Sequence, residues 1–309
     1  MGTRETAIGD YFISLSARLG GKSDTPNLDA QVLLAHMLGK PRAWVLAHPE
    51  TTLTPKQGRA LEKALRKLED GVPLPYVLEK WEFFGLEFEV SPEVLIPRPE
   101  TELLVEWAVS WLRRRPAINR RARDTKSAEA DLGMLRVIDI GTGSGCIVIA
   151  LAANLPELRV VATDISLEAI DVAKRNAKKF CVSNRIEFLC CDLFPTAGTF
   201  NFRLSTFNMI VANLPYIPTE TLRGLRVYGR EPTLALDGGV DGLDIIRRLL
   251  DLAPCHLAPG GLMLLEIEAS QGPAVLSLAY DAFAEAEISL HQDLAGRDRL
   301  IEIAPKDDG

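Results

Sequence analysis

Beyond residue 134 the chain repeats one rhythm, a short apolar run followed by a longer amphipathic stretch. The runs read LRVIDI, LRVVATDI, RIEFLCCDL, FNMIVANL, GLMLLEIE, AEISLHQD and RLIEIAP, and helical stretches such as SLEAIDVAKRNAKKF separate most of the earlier ones. Strands this continuously apolar are buried on both faces. Their alternation with helices predicts a mostly parallel sheet covered on both sides. The last two runs break the rhythm. Only DLAGRD joins them, too short for the crossover that parallel neighbours need, so they form an antiparallel pair.

The 309 residues are 47% hydrophobic, enough for a large core, and the length favours two domains. Residues 1–75 read as a small helical module. In LDAQVLLAHMLG, Leu28, Val32, Ala35 and Leu38 fall near one face and Gly39 stops the helix. In PKQGRALEKALRKLEDG, Pro55 opens and Gly71 closes a helix lined by Leu61, Ala64, Leu65 and Leu68. His36 and His48 read as packing or surface residues. Residues 76–98 form a linker, in which WEFFGLEFEV suggests a hairpin turning at Gly85. From residue 99 to 309 runs the αβ domain. Pro99 opens its first helix, with Leu103, Leu104, Trp107 and Trp111 at helical spacing.

Net charge is -7, which disfavours a chain held to nucleic acid by general positive charge. The exception is local: six arginines fall within 113–123, read as a solvated surface loop or an RNA contact. The five cysteines form no CxxC pair, which argues against a zinc cluster or disulfide scaffold and fits a reducing compartment. No run approaches 18 uncharged apolar residues.

The chemistry gathers where strands end. VIDI runs into GTGSG, Gly141 to Gly145, and then into the helix CIVIALAANL. Alternate glycines let backbone turn sharply and approach a ligand. Asp164 closes the next strand, where a carboxylate can take two hydrogen bonds from a ribose. Asp192, after the third, can accept from an adenine amino group, with Leu193 and Phe194 flanking the ring. Asp139 stands at the same rim. These features point to a nucleoside cofactor without choosing between a dinucleotide and S-adenosylmethionine. The spacing is GTGSG, however, not GxGxxG, and no residue is placed for a pyrophosphate.

The fourth strand delivers VANLPYIP to that rim. Pro215 biases Leu214 toward an extended conformation, freeing its carbonyl. Asn213 adds a side-chain oxygen, so two acceptors can face one NH2 group while Tyr216 stacks over a flat amide or base. That suits methylation of a planar, conjugated amine whose lone pair is delocalised, with no metal and no covalent nucleophile.

Taken whole, the sequence resembles the PrmC/HemK family, the glutamine methyltransferases that modify class I peptide-chain release factors. The likeness rests on LDAQVLLAHMLG, on EDGVPLPYVLEKWEFFGLEFEVSPEVLIPRPETELLVE, on VIDIGTGSGCIVIALA, VVATDISLEAIDVAKRNA and CDLF, and on VANLPYIP, REPTLALDGGVDGL, GGLMLLEIEASQG and DLAGRDR. It implies an α/β fold of the class I (Rossmann-like) methyltransferase kind. That fold has a mostly parallel seven-stranded sheet, an antiparallel C-terminal strand pair and an N-terminal helical substrate-recognition domain. The implied cofactor is S-adenosylmethionine, leaving as S-adenosylhomocysteine. The implied substrate is the glutamine of the release factor's GGQ motif, methylated at N5; a monomer is the default expectation, and the scattered cysteines suit a cytoplasmic location.

By the same resemblance, Asp139, Gly141, Thr142, Gly143 and Gly145 hold the methionine part of the cofactor. Asp164 takes the ribose and Asp192 and Leu193 the adenine, with Ile165 and Asn213 also among the cofactor-binding residues. Asn213 and the Leu214 carbonyl hold the glutamine amide in a slot shaped by Pro215 and Tyr216. Arg98, Glu100, Glu231 and Pro232 belong to the substrate side, or, for the three charged residues, to an ion network between domains. One departure stands out: the family usually has NPPY, and this chain has NLPY. NLPY also occurs in adenine-N6 methyltransferases acting on RNA, which keeps that activity as an alternative. A non-catalytic binding module retaining the fold is a third.

Overall fold

The computed structural model describes residues 6–115, 135–195 and 206–305. It divides into two compact units, Met1–Lys80 and Trp81–Gly309. The division falls inside the segment expected to act as a linker, because most of the hairpin there packs on the second unit. Among the described residues no helix is long and apolar enough to cross a membrane.

The first unit is helical: α1 Ile8–Leu19, α2 Pro26–Leu38, α3 Arg42–Ala47, α4 Pro55–Glu69 and α5 Leu74–Leu78. Helix α4 starts with Pro55 behind a capping box, in which Thr54 and Gln57 satisfy each other's backbone N–H groups. Its buried stripe is Leu61, Ala64, Leu65 and Leu68, as the spacing requires. Arg18 of α1 reaches both Glu62 and Glu69 of α4. Helix α2 corrects the sequence reading. Its buried residues are Ala30, Leu33, Leu34 and Ala35, while Leu28 is exposed. The helix touches α1, α3, α4 and α5, so burial follows several neighbours instead of one stripe. His48 stacks on Trp44 with centroids 4.3 Å apart, a packing role.

The second unit opens with the hairpin β1 Lys80–Phe83 and β2 Leu86–Glu89, turning at Phe84 and Gly85, both with positive φ. Next comes α6 Thr101–Arg113, with Glu100 at the N-cap position making no side-chain cap bond, so that Pro99 precedes the helix. The face of α6 that is buried is Leu104, Val105, Ala108 and Leu112. Of the four residues at helical spacing, Leu104 is fully buried, while Leu103, Trp107 and Trp111 are partly buried and pack against that core. Arg114 bonds Ser110, and Arg115 bonds the Gly260 carbonyl and lies 4.2 Å over Trp111. Arg113 is exposed in the last turn of α6, and Arg120, Arg121 and Arg123 of the 113–123 cluster lie outside the described residues.

The sheet contains β3 Arg136–Ile140, β4 Arg159–Asp164, β5 Ile186–Cys190, β6 Phe207–Ala212, β7 Leu257–Glu266, β8 Glu287–Gln292 and β9 Asp298–Ala304. Its order is β5-β4-β3-β6-β7-β9-β8, parallel through β7, with β9 antiparallel to both its neighbours. Helices α7 Cys146–Asn154, α8 Leu167–Lys179, α10 Asp244–His256 and α11 Gly272–Ala282 cover it, and a short α9 spans Thr219–Gly224. Residues alternate between two cores. Met209, Val211, Leu262 and Leu264 pack on one face with α6 and α7; Ile210, Ala212, Met263 and Leu265 pack on the other with α10 and α11. Both faces are dry, which is why the strands read as unbroken apolar runs.

The strand order reverses between β3 and β6. Chain order proceeds outward to β4 and β5 on one side and to β7 on the other, leaving a crevice beyond the carboxyl ends at the reversal. Register then decides what borders it. Ile140 pairs with Ala212 and with Thr163, and Asp164 pairs with Cys190. The next residues, Gly141, Asn213 and Cys191, therefore line up beside Asp164 along one rim.

Candidate active site

A cavity of about 390 Å³ opens at this rim. Gly141, Gly143, Asp164, Ile165, Asp192, Leu193, Asn213, Leu214, Pro215 and Pro232 of the expected set line it. Its size is within the usual range for small-molecule sites, and its walls are mostly apolar with a few polar groups. Along it, the ends of β3, β4 and β5 present the glycine loop, Asp164 and Asp192 in turn. The two carboxylates are acceptors, suited to the hydroxyls and exocyclic amine of a nucleoside.

Each wall has a local cause. Asp164 Oδ2 accepts from the Gly143 N–H (2.8 Å) and Oδ1 from the Ser166 N–H (2.9 Å), so the carboxylate shapes the loop and keeps spare lone pairs. Burial raises its pKa. Asp192 is exposed and ion-paired to Arg248 of α10 at 2.5 Å. Leu193, at φ 58, is buried, and its carbonyl accepts from Thr163. Asn176 of α8 donates to the carbonyls of both Ser144 and Glu89, pinning the glycine loop and the hairpin to one helix.

Asp139 does not line the cavity. It is fully buried beneath the loop, where its Oδ2 accepts the Thr142 hydroxyl at 2.6 Å. Its Oδ1 and the Ser144 hydroxyl make no hydrogen bond among the described residues. Burial pushes the carboxyl up to about 7. The strand-to-helix turn passes through Gly145 at φ 80. The unpaired oxygen under the loop and the acceptors along the rim fit a nucleoside that carries an ammonium group.

Asn213 is half-buried and donates through Nδ2 to Thr101 Oγ1 at 2.9 Å. The Thr101 and Asn213 side chains both favour the charged form of the Glu266 carboxyl, against the rise that burial causes. With the NH2 end held, the side-chain oxygen is the open end. Leu214 is buried against the glycine loop; a Cβ at Gly141 would come within 3.0 Å of its Cδ2. Leu214 to Tyr216 is neither helix nor strand, as Pro215 imposes. Tyr216 lies off the cavity, packed against the second core, with its phenol pushed up to about 12 by burial.

The segment REPTLALDGGVDGL buttresses this turn. Ile217 N–H donates to Leu236 O and receives Gly238 N–H on its own carbonyl; Gln271 Nε2 donates to Tyr216 O at 2.8 Å. Gly242 passes so close that a Cβ would lie 2.3 Å from that oxygen, at φ +81.

Arg98, Glu100 and Glu231 do not line the cavity. Glu231 is buried, accepting from Arg98 at 2.6 Å and from the Ile96 N–H at 3.2 Å. It ties down the approach to α6 within the second unit, so the pair is not a network between the two units. Glu100 faces Arg299 at 4.0 Å. The sequence reading missed Thr101 and Glu266. A signal for Glu266 existed, since it is the charged residue that closes the apolar run LMLL.

A reversing parallel sheet with one antiparallel strand, a glycine loop, a carboxylate at each following strand end and an Asn-Leu-Pro-Tyr turn beside them define an S-adenosylmethionine-dependent methyltransferase of the Rossmann-like class. Residues 12–78 match the PrmC N-terminal domain and residues 137–227 a methyltransferase domain. The chain is 40% identical to the release factor glutamine methyltransferase of Moorella thermoacetica, covering 97% of each chain. It is 35% identical to that of Coxiella burnetii, covering 96% of this chain and 98% of the relative. Among solved structures, the hMettl16 catalytic domain with an RNA hairpin superposes with a TM-score of 0.51. It shares 17% identity, covers 82% of this chain and 84% of that one, and is a likeness of fold alone. The chain belongs to the release factor glutamine methyltransferase family.

Proposed function

We propose that the chain transfers a methyl group from S-adenosylmethionine to the side-chain amide nitrogen, N5, of the glutamine in the GGQ motif of class I peptide-chain release factors. The observation that carries this reading is the placement of Asn213, Leu214 and Pro215 in the wall of the nucleoside cavity, beside Gly141. It is supported by relatives of that activity matched over nearly the full length.

S-adenosylmethionine supplies, when bound, an electrophilic methyl group on a sulfonium. The chain's own residues do the rest. Asp164 would hold the ribose hydroxyls, Asp192 and Leu193 the adenine, and the loop from Gly141 to Gly145, with Asp139 beneath it, the methionine part. Asn213 Oδ1 and the Leu214 carbonyl accept the two N–H bonds of the glutamine amide. Those bonds strengthen as the nitrogen gives up its conjugation and gains positive charge, so the acceptors favour the transition state over the ground state, and the methylated nitrogen returns to a neutral amide by releasing one proton to water. Holding the amide in one orientation also removes the entropic cost of encounter. Leu214 keeps the carbonyl that a proline would offer. Its isobutyl group, packed at the glycine loop, ties the acceptor turn to the cofactor wall.

The site roles are proposals of the same reading, as is substrate recognition by the helical first unit. Cytoplasmic residence is another, and the five free cysteines suit it. The test is labelled-methyl transfer from S-adenosylmethionine to a release factor, its GGQ→GGA version and ribosomal RNA, with the modified site mapped by peptide mass. Labelling that disappears with GGA supports the assignment. Labelling of RNA alone replaces it with adenine-N6 methylation.

A further inference from the structure

Glu266 interrupts a strand in which Leu262, Met263, Leu264 and Leu265 are all buried, and it is itself only 3% exposed. A carboxylate in such a place costs stability unless it is paired. The cation that acts on it, Arg299, is shared with Asp293 at 3.0 Å and Glu100 at 4.0 Å. Oε2 makes no hydrogen bond among the described residues. What the carboxylate does engage is Thr101, 2% exposed at the start of α6, and Asn213. Asn213 Nδ2 in turn donates to Thr101 Oγ1 at 2.9 Å. Three residues from α6, the β6 end and β7 thus form a small polar cluster on the NH2 side of one amide, with the Asn213–Thr101 hydrogen bond at its centre.

An asparagine side chain offers a donor at one end and an acceptor at the other, and a half-turn about its last torsion exchanges them. The reaction needs the acceptor forward. We propose that Thr101 and Glu266 are positioning residues for methyl transfer. They hold the NH2 of Asn213 so that its Oδ1 meets the substrate amide, and the buried carboxylate adds negative charge behind that oxygen as the substrate nitrogen becomes positive. The inference rests on reading Asn213 as the substrate acceptor. Burial pushes the Glu266 carboxyl up to about 7, so keeping it there works against stability. A residue that is unfavourable for folding but favourable for turnover has a recognisable signature.

The test compares wild type with Thr101→Ser, Thr101→Val, Glu266→Gln and the double variant Thr101→Val/Glu266→Gln, using a GGQ-containing release factor. Thr101→Val and Glu266→Gln each lower kcat by about ten- to a hundredfold. KM for the release factor and Kd for S-adenosylmethionine stay within about threefold. Thr101→Ser restores kcat, and the double variant is no slower than the worse single one, because the two act as a unit. Glu266→Gln melts no lower than wild type. Wild-type kcat in Thr101→Val, or kcat losses that follow falling Tm, would overturn the proposal. A second readout does not need turnover: the Asn213 side-chain NH2 resonance in ¹⁵N-labelled protein should be protected from exchange in wild type and lose protection in Thr101→Val. Wild type that leaves the release factor unlabelled refutes the proposed function instead. The exchange measurement then still decides the positioning, and equal protection in both proteins sinks it.

Discussion

Replacing Glu231 with alanine tests how the segment leading into α6 is held. The side chain is 3% exposed and makes two bonds of different kinds. One acceptor serves the Ile96 N–H, which is also buried; leaving that donor unpaired costs about 1–3 kcal/mol. The other serves Arg98, whose side chain is 31% exposed and regains water when released. That loss falls well below the ~3–5 kcal/mol of a fully buried pair, at about 1 kcal/mol. The sum is a loss of about 3 kcal/mol for Glu231→Ala. Glu231→Gln keeps an acceptor for Ile96 and loses only the charge, so it costs about 1 kcal/mol. Urea unfolding of the intact chain measures both. Hydrogen exchange should show the loosening concentrated in residues 94–104 and 227–236. Because Thr101 lies just beyond, kcat should fall while cofactor affinity holds. A loss under about 1 kcal/mol in Glu231→Ala, or equal losses in the two variants, would refute the assignment of separate bonds.

Asn213→Ala should leave the Kd for S-adenosylmethionine within about threefold while slowing transfer by about 10²–10³, the scale of removing one preorganised polar group; equal loss of both would remove Asn213 from the transfer step. Asp139 is buried with its carboxyl raised to about 7, so the folded state holds a proton that the unfolded chain has already released. Stability from this group is therefore greatest below the ordinary carboxylate range and falls as pH rises toward 7. Asp139→Asn should gain in Tm over wild type as pH goes from 5 to 7.5, measured without cofactor; a pH-independent difference would contradict this. Gly242→Ala places a Cβ 2.3 Å from Tyr216 O at positive φ, and should cost at least about 2 kcal/mol and lower kcat more than cofactor affinity. Unchanged kcat would mean the Gly242 segment does not set the NLPY turn.

Some of the site was legible because its signals are local. The glycine loop, Asp164 and Asp192 each follow an apolar run, and a strand end can be read from the run that precedes it. Leu61, Ala64, Leu65 and Leu68 were legible because the neighbours of α4 all lie on one side of it, so its buried residues keep a single stripe. The face of α2 was not, because several helices press on it. On α6, helical spacing marked Leu103, Leu104, Trp107 and Trp111 without ranking them: Leu104 and Ala108 are fully buried, and the larger indoles pack partly buried beside them. Tyr216, whose position along the chain carried no sign of its packing, lies partly buried against the second core, and its carbonyl accepts from Gln271. For Arg98 and Glu231, charge suggested substrate or another domain, whereas folding buries the acid against the Ile96 N–H.

The sequence by itself determined the layering of the sheet, the antiparallel final pair and the kind of ligand at its rim. Burial on both faces demands unbroken apolar strands, a short link forbids a crossover, and glycines and carboxylates at strand ends are tied to the backbone that carries them. Tertiary structure alone decided which ends become neighbours and which way the key amide points. The reversal of strand order between β3 and β6 brings Asn213 beside Gly141. The amide of Asn213 is oriented by Thr101, 112 residues away, and by Glu266 on another strand. Hydrogen bonds of that separation leave no periodic trace in a chain, because they depend on where folding places three side chains and not on the spacing between them.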